Sequence, residues 1–102
     1  MKVFLDPEAK KDLEGLEKGL SERILKLVKQ LSTNPLPENS YVIYLPDGTQ
    51  IQCLKLQEED RNSKLDHRVT YDIRDDSVRV FGVFPRDPGF QNIKEKTAER
   101  RD

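Results

Sequence analysis

Near the later strands of this sequence stand seven cations and hydroxyls with the chemistry to act on an anion: Lys55, His67, Arg68, Tyr71, Arg74, Arg79 and Arg86. A guanidinium stays charged at any physiological pH and offers forked donors that match two phosphate oxygens at once. Arg68 stands out by position. It lies midway in the alternating stretch Leu65 to Ile73, where a long cation opposite in parity to Val69 and Tyr71 projects from a rigid element, as a preorganised site requires. Arg86 follows the neighbouring stretch, Val78 to Phe84, so the two guanidiniums can border one concavity and suit a phosphodiester. The ordinary alternative for such arginines is solvation or an ion pair with neighbours such as Asp66 and Asp72. His67 has the opposite parity from Arg68 and is expected to face the helices; its near-neutral intrinsic pKa keeps it a lesser candidate for proton transfer. Cys53 reads as a small buried hydrophobe rather than a nucleophile.

Several kinds of chemistry are excluded. The phosphate loop, the paired-glycine dinucleotide turn, the HExxH helix and the nucleophile elbow are all missing. One cysteine and one histidine assemble neither a familiar zinc cluster nor an internal disulfide, so no metal and no cofactor are expected, and a reducing compartment is. The formal charge of −1 argues against a strongly basic nucleic-acid binder, but it hides an asymmetry. Residues 1–60 carry 8 basic and 11 acidic side chains, a net of −3, whereas 61–102 carry 10 and 8, a net of +2. An anion-binding surface belongs in the second part. Val3-Phe4-Leu5 is far too short for a signal core or a membrane span, so the expected location is the cytoplasm and the membrane is not an expected partner.

The elements that position these residues follow from the apolar pattern. Met1 to Leu5 forms a short strand, edge or central. Asp6 then caps a helix that begins at Pro7, since proline at the first helical position loses no hydrogen bond. Ala9, Leu13 and Leu16 carry that helix, and Gly15 and Gly19 bracket its end. Leu20, Ile24, Leu27, Val28 and Leu31 predict a second, and Asn34-Pro35-Leu36-Pro37 closes the αα-hairpin. Tyr41 to Leu45 and Thr49 to Leu56 predict a β-hairpin around Pro46-Asp47-Gly48. In its second arm Ile51 and Cys53 differ in parity from Leu54 and Leu56, which means two buried faces or a bulge. Two further strands, Leu65 to Ile73 and Val78 to Phe84, join through Arg74-Asp75-Asp76, the latter apolar on both faces and therefore interior. The expectation is one α+β domain over residues 1–90, an N-terminal strand and αα-hairpin on a small antiparallel-rich sheet. Residues 91–102 form a charged tail or short helix using Ile93 and Ala98.

The order strand, αα-hairpin, antiparallel sheet, with Asp6 to Leu13 opening the first helix and Asn34-Pro35 closing the second, resembles the RelE/ParE superfamily of toxin–antitoxin toxins over roughly residues 2–90. Its most specific piece is Asp66 to Ile73 followed by Asp75-Asp76-Ser77, similar to the His-Arg-aliphatic-x-Tyr strand and acidic turn of the RelE-like and YoeB-like branches. The resemblance implies a ribosome-dependent messenger-RNA endonuclease that uses the substrate's own 2′-hydroxyl and is held inactive by a cognate antitoxin. It implies that Arg68 and Arg86 stabilise or position the phosphate and that Lys55 aids charge stabilisation or proton transfer. Arg74, Arg79 and Phe90 become candidates for holding RNA. A ParE-like toxin acting on gyrase, or an antitoxin-binding relic without chemistry, are the alternatives. Two departures from the family pattern stand out. Phe90 falls where relatives often keep a tyrosine and cannot donate a proton, and Cys53 stands where RelE has a second lysine.

Overall fold

The structure is a computed structural model that describes residues 1–58, 64–86 and 90–101. Its elements are β1 (Lys2–Leu5), α1 (Pro7–Glu14), α2 (Lys18–Lys29) with a short 3-10 turn at Gln30–Ser32, β2 (Ser40–Tyr44), β3 (Gln50–Gln57), β4 (Asp66–Arg74), β5 (Ser77–Pro85) and α3 (Phe90–Arg101). The five strands form one sheet in the order β1-β5-β4-β3-β2. Only β1 runs parallel to its neighbour; every other pairing is antiparallel. Among the described residues no helix is long and apolar enough to cross a membrane.

The N-terminal strand is therefore an edge strand, and β5 is interior, flanked by β1 and β4. Asp6 does occupy the N-cap position of α1, yet its side chain makes no cap bond. Its carboxylate is taken instead by Arg79, whose Nε and Nη2 each lie 3.0 Å from a carboxylate oxygen. A forked, charged donor outcompetes a single backbone N–H for the same oxygens. Gly19 lies inside the first turn of α2 rather than between the helices, so the second helix starts two residues before its first apolar anchor, Leu20.

Helices α1 and α2 pack on one face of the sheet. Ala9, Leu13, Ile24 and Val28 meet Leu54, Leu56, Val69, Tyr71, Val78, Val80 and Val83 there. The other face carries a second cluster of Ile43, Leu45, Ile51, Cys53 and Phe81, against which Ala98 of α3 packs. The mixed parity of β3 thus resolves without a bulge: its register to both neighbours is regular and both of its faces are buried. The predicted C-terminal helix is docked, with Ile93 and Thr97 buried and the Thr97 hydroxyl 3.0 Å from that of Thr70.

The register shift lies elsewhere, between β4 and β5. Thr70 pairs with Gly82 but Tyr71 pairs with Val80, leaving Phe81 as an extra residue. Simple alternation would send Val80, Gly82 and Phe84 to one face. Past the bulge, however, Val83 joins Val78 and Val80 on the α1–α2 side, and Phe84 turns toward α3, its ring 4.8 Å from the Arg100 guanidinium. Every side chain after Phe81 changes face, Arg86 included.

β1 pairs with β5 only as far as Val80, which would leave the next stretch of β5 with open backbone groups. An ion pair fills the gap. Asp12 of α1 accepts from the Val83 amide at 2.9 Å, and Arg100 of α3 donates to the Phe81 carbonyl at 3.2 Å. The two side chains also bind each other, Nη1 to Oδ2 at 2.6 Å and Nη2 to Oδ1 at 3.2 Å.

Candidate active site

Cross-strand partners share a face, so the register alone assembles a group of polar side chains on the α3 side at one end of the sheet. Arg68 of β4 lies opposite Phe84 of β5 on one flank and Lys55 of β3 on the other. Two residues past Phe84, Arg86 returns to that same face. Without the bulge it would point to the α1–α2 side and could not meet Arg68.

Asp66 ties the two arginines together. Its Oδ1 accepts from Arg68 Nη1 at 3.2 Å, its Oδ2 lies 3.7 Å from Arg86 Nη1, and its backbone carbonyl accepts from the Arg86 amide at 3.1 Å. Arg68 is buried, with its side chain only 7% exposed, whereas that of Arg86 is 66% exposed. Arg68 Nη1 also donates to the His67 carbonyl at 3.1 Å, and its Nε is buried with no hydrogen-bond partner among the described residues. A buried, charged donor left unmatched costs stability unless something supplies an acceptor, and such gaps concentrate at working sites. Lys55 is exposed, its backbone fixed by reciprocal bonds to Asn39, each of 2.8 Å.

Tyr41 completes the cluster from β2. It pairs with Cys53 in the register, and the phenol oxygen accepts from Cys53 Sγ at 3.4 Å. Desolvation is the main cause that raises the Tyr41 pKa, with the Cys53 bond adding to it and Arg68 opposing, so the phenol keeps its proton throughout the physiological range. Burial likewise pushes the Cys53 thiol up, opposed by Tyr41 and Arg68.

The other candidates stand apart. His67 is buried on the α1–α2 face, opposite Leu56, and its Nδ1 accepts from the Asp66 amide at 3.2 Å. Burial lowers its pKa below the usual value, with Asp66 opposing and Arg68 assisting. Arg74 sits at the β4–β5 turn, paired with Asp72 at 3.3 Å, roughly 20 Å along an extended strand from Arg68. Arg79, bound by Asp6 and stacked 4.8 Å from the Phe81 ring centre, lies toward that same far end. Phe90 opens α3, but its side chain falls outside the described residues. A cleft of about 590 Å³ beside α2 is lined by Lys55, Leu27, Leu56 and Leu65 and includes neither Arg68 nor Arg86. Among the described residues that line it, the cation Lys55 is offset by Glu58, so the converging arginines mark the site instead. Asp66 and Tyr41 are the members that pattern reading missed. Asp66 registers only as an ion-pair neighbour, and nothing in the sequence says that β2 lies beside β3 in the register that brings Tyr41 toward Arg68.

No protein-family model matches the sequence, and no curated protein matches it. Solved structures do. A double-arginine mutant of the E. coli toxin RelE in the free state superposes with a TM-score of 0.67 at 19% identity, covering 97% of this chain and 95% of that one. The chain has the RelE toxin fold. The intact E. coli RelBE toxin–antitoxin complex contains a chain that matches with a TM-score of 0.61 at 20% identity, covering 84% of this chain and 96% of that one. The RelE fold thus accounts for the mixed α+β architecture of N-terminal strand, αα-hairpin and largely antiparallel sheet, nearly end to end.

Proposed function

We propose that this chain is the toxin of a type II toxin–antitoxin pair and that it cuts messenger RNA on the ribosome, the substrate's 2′-hydroxyl attacking the adjacent phosphate. The observation that carries this reading is the convergence of Arg68 and Arg86 on the one carboxylate of Asp66. Two guanidiniums close enough to share a carboxylate are close enough to share a phosphate, and a dianionic, five-coordinate phosphorus gains more from them than the ground state does. Lys55, opposite Arg68 in the register, adds a third cation to the same face. The reaction needs alignment, charge stabilisation and two proton transfers, all within reach of side chains. Arg68 is built into the strand and would hold the scissile phosphate; exposed Arg86 would close on it. Arg74 and Arg79 are engaged by Asp72 and Asp6, which leaves them at most a secondary part in holding RNA.

The resemblance to RelE, and the antitoxin with which RelE is solved, support a cognate antitoxin as the partner that keeps this chain inactive. The test is induced expression without a partner, with cleavage mapping of messages on translating ribosomes and Arg68→Ala as control. Growth arrest with cuts inside translated codons, abolished in the variant, is the expected result. Arrest with intact messages and blocked DNA supercoiling points to a gyrase-directed toxin instead, and no arrest at all to an antitoxin-binding relic.

A further inference from the structure

β2 begins one residue too late to cover Lys55. The register of the β2–β3 hairpin closes with Ser40 opposite Leu54, so the next residue of β3, Lys55, would turn its backbone N–H and C=O toward an unpaired edge. Asn39 takes up both groups. Its carbonyl accepts from the Lys55 amide at 2.8 Å, and its side-chain Nδ2 donates to the Lys55 carbonyl at 2.8 Å. The carboxamide thereby stands in for the backbone N–H of a regular antiparallel pair. We propose that Asn39 is a positioning residue: resting on the ribonuclease reading above, it sets the Lys55 ammonium against the phosphate that Arg68 holds.

Successive residues of a strand alternate the edge to which they bond, so an N–H and a C=O that point toward Asn39 cannot also point toward β4. Lys55 and Arg68 therefore form a non-hydrogen-bonded pair. In such pairs the Cα atoms lie about 4.5 Å apart and the side chains on the shared face are at their closest. Lys55 thus stands nearest Arg68 while its own peptide groups are held from the other edge, by Asn39. The anchor is itself braced. The Tyr71 hydroxyl, on a fully buried side chain of β4, donates to the Pro35 carbonyl at 2.7 Å, and the Ser40 amide and hydroxyl donate to the Pro37 carbonyl at 2.9 and 2.6 Å. The loop that carries Asn39 is tied to the sheet and closed on itself. Packing adds little, because Asn39 is exposed and lies between two hollows of about 590 and 390 Å³ that both take in Leu27 and Leu56. Its two hydrogen bonds carry the positioning. Lys55 has a flexible four-carbon stem, so a fixed backbone is what limits where the ammonium can go, and misplacing a reacting group by about 1 Å costs on the order of 100-fold in rate.

The experiment is a double-mutant cycle on the cleavage of ribosome-bound message at saturation, comparing wild type, Asn39→Ala, Lys55→Ala and the two together. Alanine at position 55 keeps the backbone that Asn39 binds. Asn39→Ala should lower the maximal rate about tenfold in the wild-type background and leave the rate of Lys55→Ala unchanged. A residue that merely supported the fold would slow both backgrounds by the same factor, and that result overturns the assignment. Full speed in Asn39→Ala overturns it as well. Should the alanine lower the Tm below the assay temperature, Asn39→Leu, which keeps the size beside Leu27 and Leu56 without the donor, takes its place in the cycle and is held to the same outcomes. Lys55→Ala at wild-type speed leaves Asn39 nothing to position, so the assignment falls while the ribonuclease reading stands. If the wild type itself cuts no message, the ribonuclease reading falls and the role of Asn39 falls with it.

Discussion

Arg100 and Asp12 lie 88 residues apart and are joined by a two-pronged ion pair, each partner also binding a backbone group of β5 that β1 is too short to reach. The pair does the work of a missing stretch of edge strand. It fastens α3 and α1 to the same point of the sheet, and both side chains are less than one-fifth exposed. Arg100→Ala would leave the Asp12 carboxylate without its cation and the Phe81 carbonyl without its donor. The expected loss is about 2–4 kcal/mol of unfolding free energy, read from urea denaturation. A loss below about 0.5 kcal/mol would make this an ordinary surface pair.

Gly82 sits beneath that pair. A Cβ there would come within 2.4 Å of both Arg100 Nη1 and the Phe84 ring, so Gly82→Ala must displace one of them. The predicted cost is about 1–3 kcal/mol, together with loosening of α3 that amide exchange across Phe90–Arg101 would register. Unchanged protection in α3 would show that the ring alone absorbs the strain.

Neutralising Asp66 should strengthen RNA binding. In Asp66→Asn the amide keeps a hydrogen bond to Arg68 but no longer competes with phosphate for either guanidinium. RNA affinity is expected to rise roughly tenfold, with a steeper dependence on salt. Weaker binding in filter or fluorescence titrations would mean that Asp66 helps to build the site rather than occupying it.

Acid stability offers a test of His67. Burial holds its folded pKa below the 6.5 of the free group, so the neutral ring favours folding. That contribution is complete above the unfolded value and is lost as pH falls through the folded one. His67→Gln should therefore lose less unfolding free energy than the wild type between pH 7 and pH 5. Equal losses in parallel urea titrations would sink the idea, since the carboxylates titrate alike in both proteins.

Periodicity and turn chemistry made the helices, the hairpin and the two long strands readable, because the helices and Leu65 to Ile73 each repeat one apolar face and the other strands are bounded by polar or glycine-bearing breaks. What escaped depends on partners distant in sequence. Asp6 has the right residue type for a cap and adopts the cap backbone, but Arg79, seventy-three positions away, claims its oxygens. The bulge at Phe81 leaves no mark in a stretch that is apolar on both faces, so the parity of everything beyond it reads wrongly. For that reason the sequence could nominate Arg68 and Arg86 but could not say that they share a face. Tyr41 was invisible as a site residue because its place depends on the register of β2 against β3. The terminal helix looked weak for a related reason: beyond the apolar Ile93 and Ala98, its docking rests on Thr97 and Arg100, whose partners are distant in sequence.

The pairing of β1 with β5 also sets the order in which this molecule can come into being. Lys2 needs Ser77, and Leu5 needs Val80, so β1 has no partner until β5, far along the chain, has been made. Such long-range closure slows folding. Arg68 and Arg86 meet only through β5, and their grip on an anion therefore waits until β5 has joined the sheet.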